Sequence, residues 1–219
     1  MPDVFDFAKY FIQQNLDTKR NTFDGNMKLQ KLLVLADLIS LAERGVPLFD
    51  DEILAYEQGC IIEKVRNRYK YDCKGLIAES NNFKPTFSQE ELDILNLTIE
   101  LFGNLTAREL SDLNHTFSFW STTFENSKQP GGFKNQEKAV VSIAAMRNEL
   151  DKVREVIRAF RETQSENQAI ETINGVDFYY TPEDLDLTDD YIDHLYRFSL
   201  VAEEDSYSVY VDSGSLVIY

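Results

Sequence analysis

Between Leu29 and Leu41 the apolar residues Leu29, Leu32, Leu33, Ala36, Ile39 and Leu41 cover so wide an arc of a helix that the segment must be largely buried. A helix of that kind needs neighbours on several sides, so it is expected at the centre of a helical core. Asn26 is placed to cap its start, and Arg44-Gly45 with Pro47 just beyond marks its end. Gln30, Lys31 and Asp37 interrupt the run, and no apolar stretch reaches the roughly 20 residues that cross a bilayer. No membrane association is expected.

The neighbours that such a helix needs are legible along the chain. Val4, Ala8, Phe11, Ile12 and Leu16 follow helical spacing ahead of the polar stretch Asp17 to Gly25. Ile53 to Tyr56, bounded by Asp50-Asp51-Glu52 and Gly59, predicts one short strand or extended segment. A third helix is expected from Ile61 or Ile62. Ser88-Gln89-Glu90-Glu91 and Thr106-Ala107-Arg108-Glu109 are capping boxes, in which a hydroxyl and a carboxylate satisfy each other's free amides. They predict a helix to about Phe102 and a short one beyond Gly103-Asn104. A loop is expected from Trp120 through Pro130-Gly131-Gly132. One long helix should follow from about Asn135, striped by Val140, Ile143, Met146, Leu150, Val153 and Ile157.

The polar stretch Gln164 to Gln168 is the best boundary. It divides a compact helical domain with a short extended segment, residues 1–164, from a small α+β module, residues 165–219, and the fold class is mainly α. In the module, Val176 to Tyr180 predicts a strand, Thr181-Pro182 a helix opening, Thr188 a cap for a helix to about Ser199, and Tyr207 to Tyr219 a hairpin.

Charge separates the same two parts. The chain carries −16 overall, yet residues 163–219 hold 13 acids against the single base Arg197, while residues 1–162 are nearly balanced. Such a field repels phosphates, so nucleic acid is disfavoured, and it draws in basic protein surfaces; simple solubility is the plainer alternative. The acidic opening Met1-Pro2-Asp3-Val4-Phe5-Asp6 has no basic region or apolar stretch of a secretory leader, and a cytoplasmic location is expected. Cys60 and Cys73 form no CxxC or Cys/His cluster and read as reduced, structural thiols.

No chemistry announces itself. There is no G-x-S-x-G elbow, Walker loop or dinucleotide fingerprint, so neither an enzyme nor a cofactor is expected. His115 and His194 stand 79 positions apart with no third ligand, which rejects zinc. Asp184, Asp186, Asp189 and Asp190 mimic a calcium loop only superficially, because glycine is required where Asp189 stands and glutamate where Leu195 stands.

Three blocks carry a family resemblance. Asn26-Met27-Lys28-Leu29-Gln30-Lys31-Leu32-Leu33 resembles the opening signature of the Panacea domain, a helix reading approximately N-x-K-L-Q-K-L-L. Gly45 to Asp50 and Ile53 to Val65 are similar to its second block. Tyr56, Gln58, Gly59 and Cys60 stand where the family commonly has tryptophan and then tyrosine-glycine-proline. Leu105 to His115, ending at Trp120, resembles L-S-x-x-E-L-x-x-L-x-H followed by tryptophan, with Phe119 at the usual proline. The resemblance spans about residues 4–160. It implies a mostly helical domain and the role of antitoxin, encoded beside a toxin and neutralising it by direct binding. Partners implied for the family are varied, from translation-blocking enzymes related to alarmone synthetases to small membrane-active toxins. A cognate protein toxin with a basic surface, probed by a non-enzymatic binder, is the resulting expectation. The family resemblance leaves open blockade of the toxin or delivery to a protease, the oligomeric state, and a phage-encoded accessory role.

Candidate partner-binding residues follow. Lys28, Gln30 and Lys31 flank the core positions of the second helix and read as a polar contact strip, the alternative being a solvated cover. Tyr56 belongs to the divergent second block. His115 and Trp120 could mark a pocket, or be structural, with the imidazole on a backbone carbonyl and the indole in the core. Tyr179 and Tyr180 among Asp184, Asp186, Asp189 and Asp190 form aromatic anchors inside a charged rim, although some of the module's aromatics must fill its own core. The basic run Lys64, Arg66, Arg68 and Lys70 supports a rival, a DNA-binding regulator, unless it pairs with the protein's own acids.

Overall fold

A computed structural model describes residues 3–129, 135–166, 168–212 and 215–219. The expected loop at Pro130-Gly131-Gly132 and the hairpin tip at Ser213-Gly214 lie outside the described residues. The chain divides into two compact units, Met1–Val156 and Ile157–Tyr219.

The first unit is built around α2 (Phe23–Arg44), whose residues are all buried from Lys28 to Ala42. Around it pack α1 (Val4–Gln13), α3 (Glu63–Asn81), α4 (Gln89–Phe102), α5 (Ala107–His115) and the hairpin of β1 (Ile53–Tyr56) and β2 (Gly59–Ile62). Enclosure on every side is why the apolar arc of α2 is so wide. Its start lies a turn ahead of the expected Asn26 cap: the Thr22 hydroxyl accepts the Gly25 amide at 3.0 Å, and Asn26, inside the helix, donates from its side chain to the Arg66 carbonyl. Gly45, at φ +74°, closes the helix as expected. Both capping boxes form, at Ser88 with Glu91 and at Thr106 with Glu109.

Three local expectations are corrected. The third helix begins at Glu63, because Ile61 and Ile62 belong to β2, which pairs antiparallel with β1 from Ile53 opposite Ile62 to Tyr56 opposite Gly59. Beyond Trp120 the chain stays helical in α6 (Ser118–Ser127), whose first amide is held by the buried carboxylate of Glu149 at 2.8 Å. The long helix from Asn135 is instead a 3₁₀ turn at Glu137–Ala139, an extended stretch at Val140, α7 (Ile143–Arg147) and α8 (Leu150–Glu166). Helical spacing in the sequence misled here, since Val140 bridges to Leu54 and the Val141 amide donates to the Ile53 carbonyl, extending the sheet edge.

The second unit is an α+β module. Its sheet runs β3 (Ala169–Ile173), β4 (Val176–Tyr180), β5 (Ser206–Asp212), β6 (Ser215–Ile218), with β4 and β5 parallel and the outer pairs antiparallel. The parallel pair requires a crossover, supplied by α9 (Asp189–Ser199), which starts at the expected Thr188 cap. Val176, Phe178, Leu185, Leu195 and Val209 are the core. Thr181-Pro182 opens a turn rather than a helix, with the Asp184 and Leu185 amides both donating to the Thr181 carbonyl. β3 was not foreseen, since Glu171 and Thr172 stand together and break the apolar alternation of Ala169, Ile170 and Ile173.

Candidate functional site

The hairpin between β1 and β2 is held by side chains along its whole length. Trp120 Nε1 donates to the Tyr56 carbonyl at 2.8 Å, and His115 Nε2, protonated in the neutral ring, to the Glu57 carbonyl at 3.1 Å. Ser111 Oγ donates to the Gln58 carbonyl at 3.0 Å, and Lys31 Nζ to the Cys60 carbonyl at 2.9 Å. Cys60 N donates to Asn114 Oδ1 at 2.6 Å, and Ile62 N to Gln30 Oε1 at 2.8 Å. Three helices, α2, α5 and α6, thus satisfy a turn that a two-residue hairpin leaves largely unpaired. The first and third sequence blocks meet on the second.

This geometry corrects the reading of Lys28, Gln30 and Lys31. They are neither a surface strip nor a solvated cover, with only 8%, 1% and 1% exposure, because α2 is surrounded. Lys28 Nζ donates to the Gly103 carbonyl at 2.6 Å, tying α2 to the end of α4. Burial pulls the Lys31 ammonium down to about 8. The His115 ring packs on Trp120 at a 4.0 Å centroid separation and a 31° tilt, and burial lowers its pKa despite the Glu57 bond. Trp120 is half-buried and also stacks on Phe124, so the indole braces the turn and does not fill the core. Ser111 and Asn114 were missed by the sequence reading; Ser111 stands one helical turn before Asn114 and His115, on the same side of α5, and that spacing was the available signal.

Cys60 is fully enclosed, and burial pushes its thiol up to about 12. Cys73 is also buried, and both are free thiols.

Beside the hairpin lies a cavity of about 530 Å³. Its walls are the first turn of α2 with Phe23, Asn26 and Met27, the hairpin turn with Tyr56, Glu57 and Gln58, and α3 with Arg66, Tyr69 and Lys70; Gln30 and Lys31 also line it. Arg66 sits over the Tyr56 ring at 5.7 Å. The Tyr69 hydroxyl donates to Asp17 Oδ2 at 3.0 Å and accepts the Asn21 amide at 3.0 Å, fixing the entry to α2. The basic run on α3 is therefore split. Lys64 pairs with Asp3 and Asp51, and Arg68 with Asp72 and Glu79, while Arg66 and Lys70 turn to the cavity.

In the second unit Asp184, Asp186, Asp189 and Asp190 are all exposed. Asp189 and Asp190 occupy the first turn of α9, where the helix dipole favours them. Tyr180 packs against the module's own core, and Tyr179 is half-buried on the neighbouring strand position. No helix among the described residues is long and apolar enough to cross a membrane.

Residues 29–121 match the family model described as Antitoxin SocA-like, Panacea domain. The match runs from the body of α2 through the hairpin to Trp120, so it takes in the clamp from both sides. No curated protein and no solved structure matches the chain.

Proposed function

We propose that the protein is an antitoxin that neutralises a cognate, translation-inhibiting toxin by direct protein–protein binding in the cytoplasm, without catalysis of its own. The observation that carries this reading is the convergence of the matched segment on one feature: its polar residues hydrogen-bond along the β1–β2 turn. Rigid presentation of a turn lowers the ordering cost of association, which is what a tight inhibitor needs. The acidic second unit supplies attraction toward a basic toxin surface. A DNA-binding regulator is less well supported, since Lys64 and Arg68 are engaged by the protein's own carboxylates.

Co-expression with the product of the neighbouring gene tests the reading. Growth arrested by that product should be restored, and the two chains should co-purify; continued arrest together with no complex would remove the proposal. Replacing Asp184, Asp186, Asp189 and Asp190 with lysine reverses the exposed charge and should slow association with a cationic toxin about tenfold at low salt. The same variant should show a flatter salt dependence by stopped-flow, with dissociation little changed. Association rates identical to the parent protein at every ionic strength would exclude steering by this segment.

A further inference from the structure

Three cationic groups, Lys31, Arg66 and Lys70, line the cavity beside the hairpin, and none pairs with a carboxylate among the described residues. The one acid in its walls is Glu57, whose side chain lies in an exposed position. Lys31 is the telling member. It is 1% exposed and, among the described residues, its ammonium has one carbonyl for a partner, whereas a buried charge is ordinarily matched by an opposite one. The cavity also meets the first turn of the 22-residue helix α2, so the positive end of its dipole adds to the same field.

The remaining wall is apolar and aromatic. Phe23 is 68% exposed at the first position of α2, where no packing need places a phenyl ring, and Tyr56, Met27 and Ile61 continue its surface. A volume of about 530 Å³ lies within the range of small-molecule sites.

We infer that this cavity binds a small organic anion bearing a planar ring, of the size class of a nucleoside monophosphate, with its acidic group among Lys31, Arg66 and Lys70 and its ring against Phe23 and Tyr56. The phosphate or carboxylate supplies the counter-charge that Lys31 lacks in the protein. Arg66 and Lys70 face it from α3, where they can form charge-assisted hydrogen bonds. The ring covers the exposed Phe23 face. This site does not depend on the antitoxin reading, since ligand binding is measured on the full chain without any toxin.

The test uses calorimetry and thermal melting of the full chain with adenosine monophosphate, phenyl phosphate, inorganic phosphate and phenol. The two compounds that combine ring and charge should bind and raise the melting temperature, and phenol should do neither. An Arg66→Gln, Lys70→Gln variant changes two exposed or half-exposed side chains and should keep the fold while weakening both ligands about tenfold or more. A Phe23→Ala variant should weaken adenosine monophosphate and leave inorganic phosphate unchanged. The inference is overturned if neither adenosine monophosphate nor phenyl phosphate binds, or if both bind the folded Gln variant as tightly as the parent. Equal protection by inorganic phosphate and phenyl phosphate would also overturn the ring's part in it.

Discussion

Replacing Gly59 with alanine is expected to destabilise the first unit by about 3 kcal/mol, a fall of roughly 6 to 12 °C in its melting temperature. Two costs combine. Gly59 sits at φ +90°, a backbone conformation that side-chain-bearing residues seldom adopt. A methyl group there would also stand 2.6 Å from Asn114 Oδ1 and 2.9 Å from Lys31 Nζ. Those atoms hold the amide and the carbonyl of Cys60, so relief of the clash detaches either α5 or Lys31 from the turn. Both are buried, and Asn114 Nδ2 is already without a partner among the described residues, leaving the cluster little slack. Gly45→Ala is the matched control: its φ is +74°, but nothing lies within 4 Å of the added carbon. It should therefore show the backbone cost alone, about 1 kcal/mol. Denaturant titrations of the two variants decide the matter, and equal losses would show that the clamp contributes nothing. If the presented turn is the toxin-binding feature, Gly59→Ala should also lose growth rescue under conditions where Gly45→Ala retains it.

The contrast between these glycines shows where sequence reasoning works and where it stops. Gly45 follows a helix and precedes Pro47, a local pattern with a local meaning, and the end of α2 was readable from it. The capping boxes at Ser88 and Thr106 were readable for the same reason, because both partners lie within one turn. Gly59 was visible as a strand boundary and as a member of the second block, with nothing local to show what it packs against. Its importance comes from Lys31 and Asn114, 28 and 55 positions away, and only the packing of α2 and α5 against the hairpin brings them together. The same limit explains Lys28, Gln30 and Lys31. Polar residues beside an apolar stripe ordinarily face solvent, and these do not because α2 is enclosed on all sides. The family resemblance pointed to Lys28, Gln30, Lys31, His115 and Trp120 without indicating that they bond to backbone. In the second unit the order of the strands was hidden for another reason: the parallel pairing of β4 with β5 depends on how α9 crosses over, and β3 carries no strong alternation.

Asp37 should make the stability of the first unit fall as the pH rises from about 4 to about 7, by as much as about 4 kcal/mol. Its side chain is 3% exposed in the middle of α2, and Oδ1 accepts the Leu48 amide at 2.7 Å. Burial raises its pKa from 3.8 to about 7, against the opposing pull of the Leu48 and Phe49 amides. In the window between those values the unfolded chain has released the proton while the folded chain keeps it, so each increment of pH favours unfolding; above about 7 both forms are ionised and this group adds no further slope. Lys31 acts at the other end. Its folded pKa of about 8 lies below the ordinary 10.5, so the folded chain sheds its proton first and stability recovers as pH rises between those values. The two buried groups of one helix therefore place a minimum of stability near neutral pH. Asp37→Asn removes the acid-side slope and keeps an oxygen acceptor for Leu48, so it should exceed the parent in stability at pH 8. Asp37→Ala should lose about 2 to 4 kcal/mol at pH 4, because it leaves buried amides unpaired. Chemical denaturation of parent and Asn variant at half-unit steps from pH 4 to pH 8 measures the difference directly. Parallel curves would mean that Asp37 titrates normally inside the folded protein.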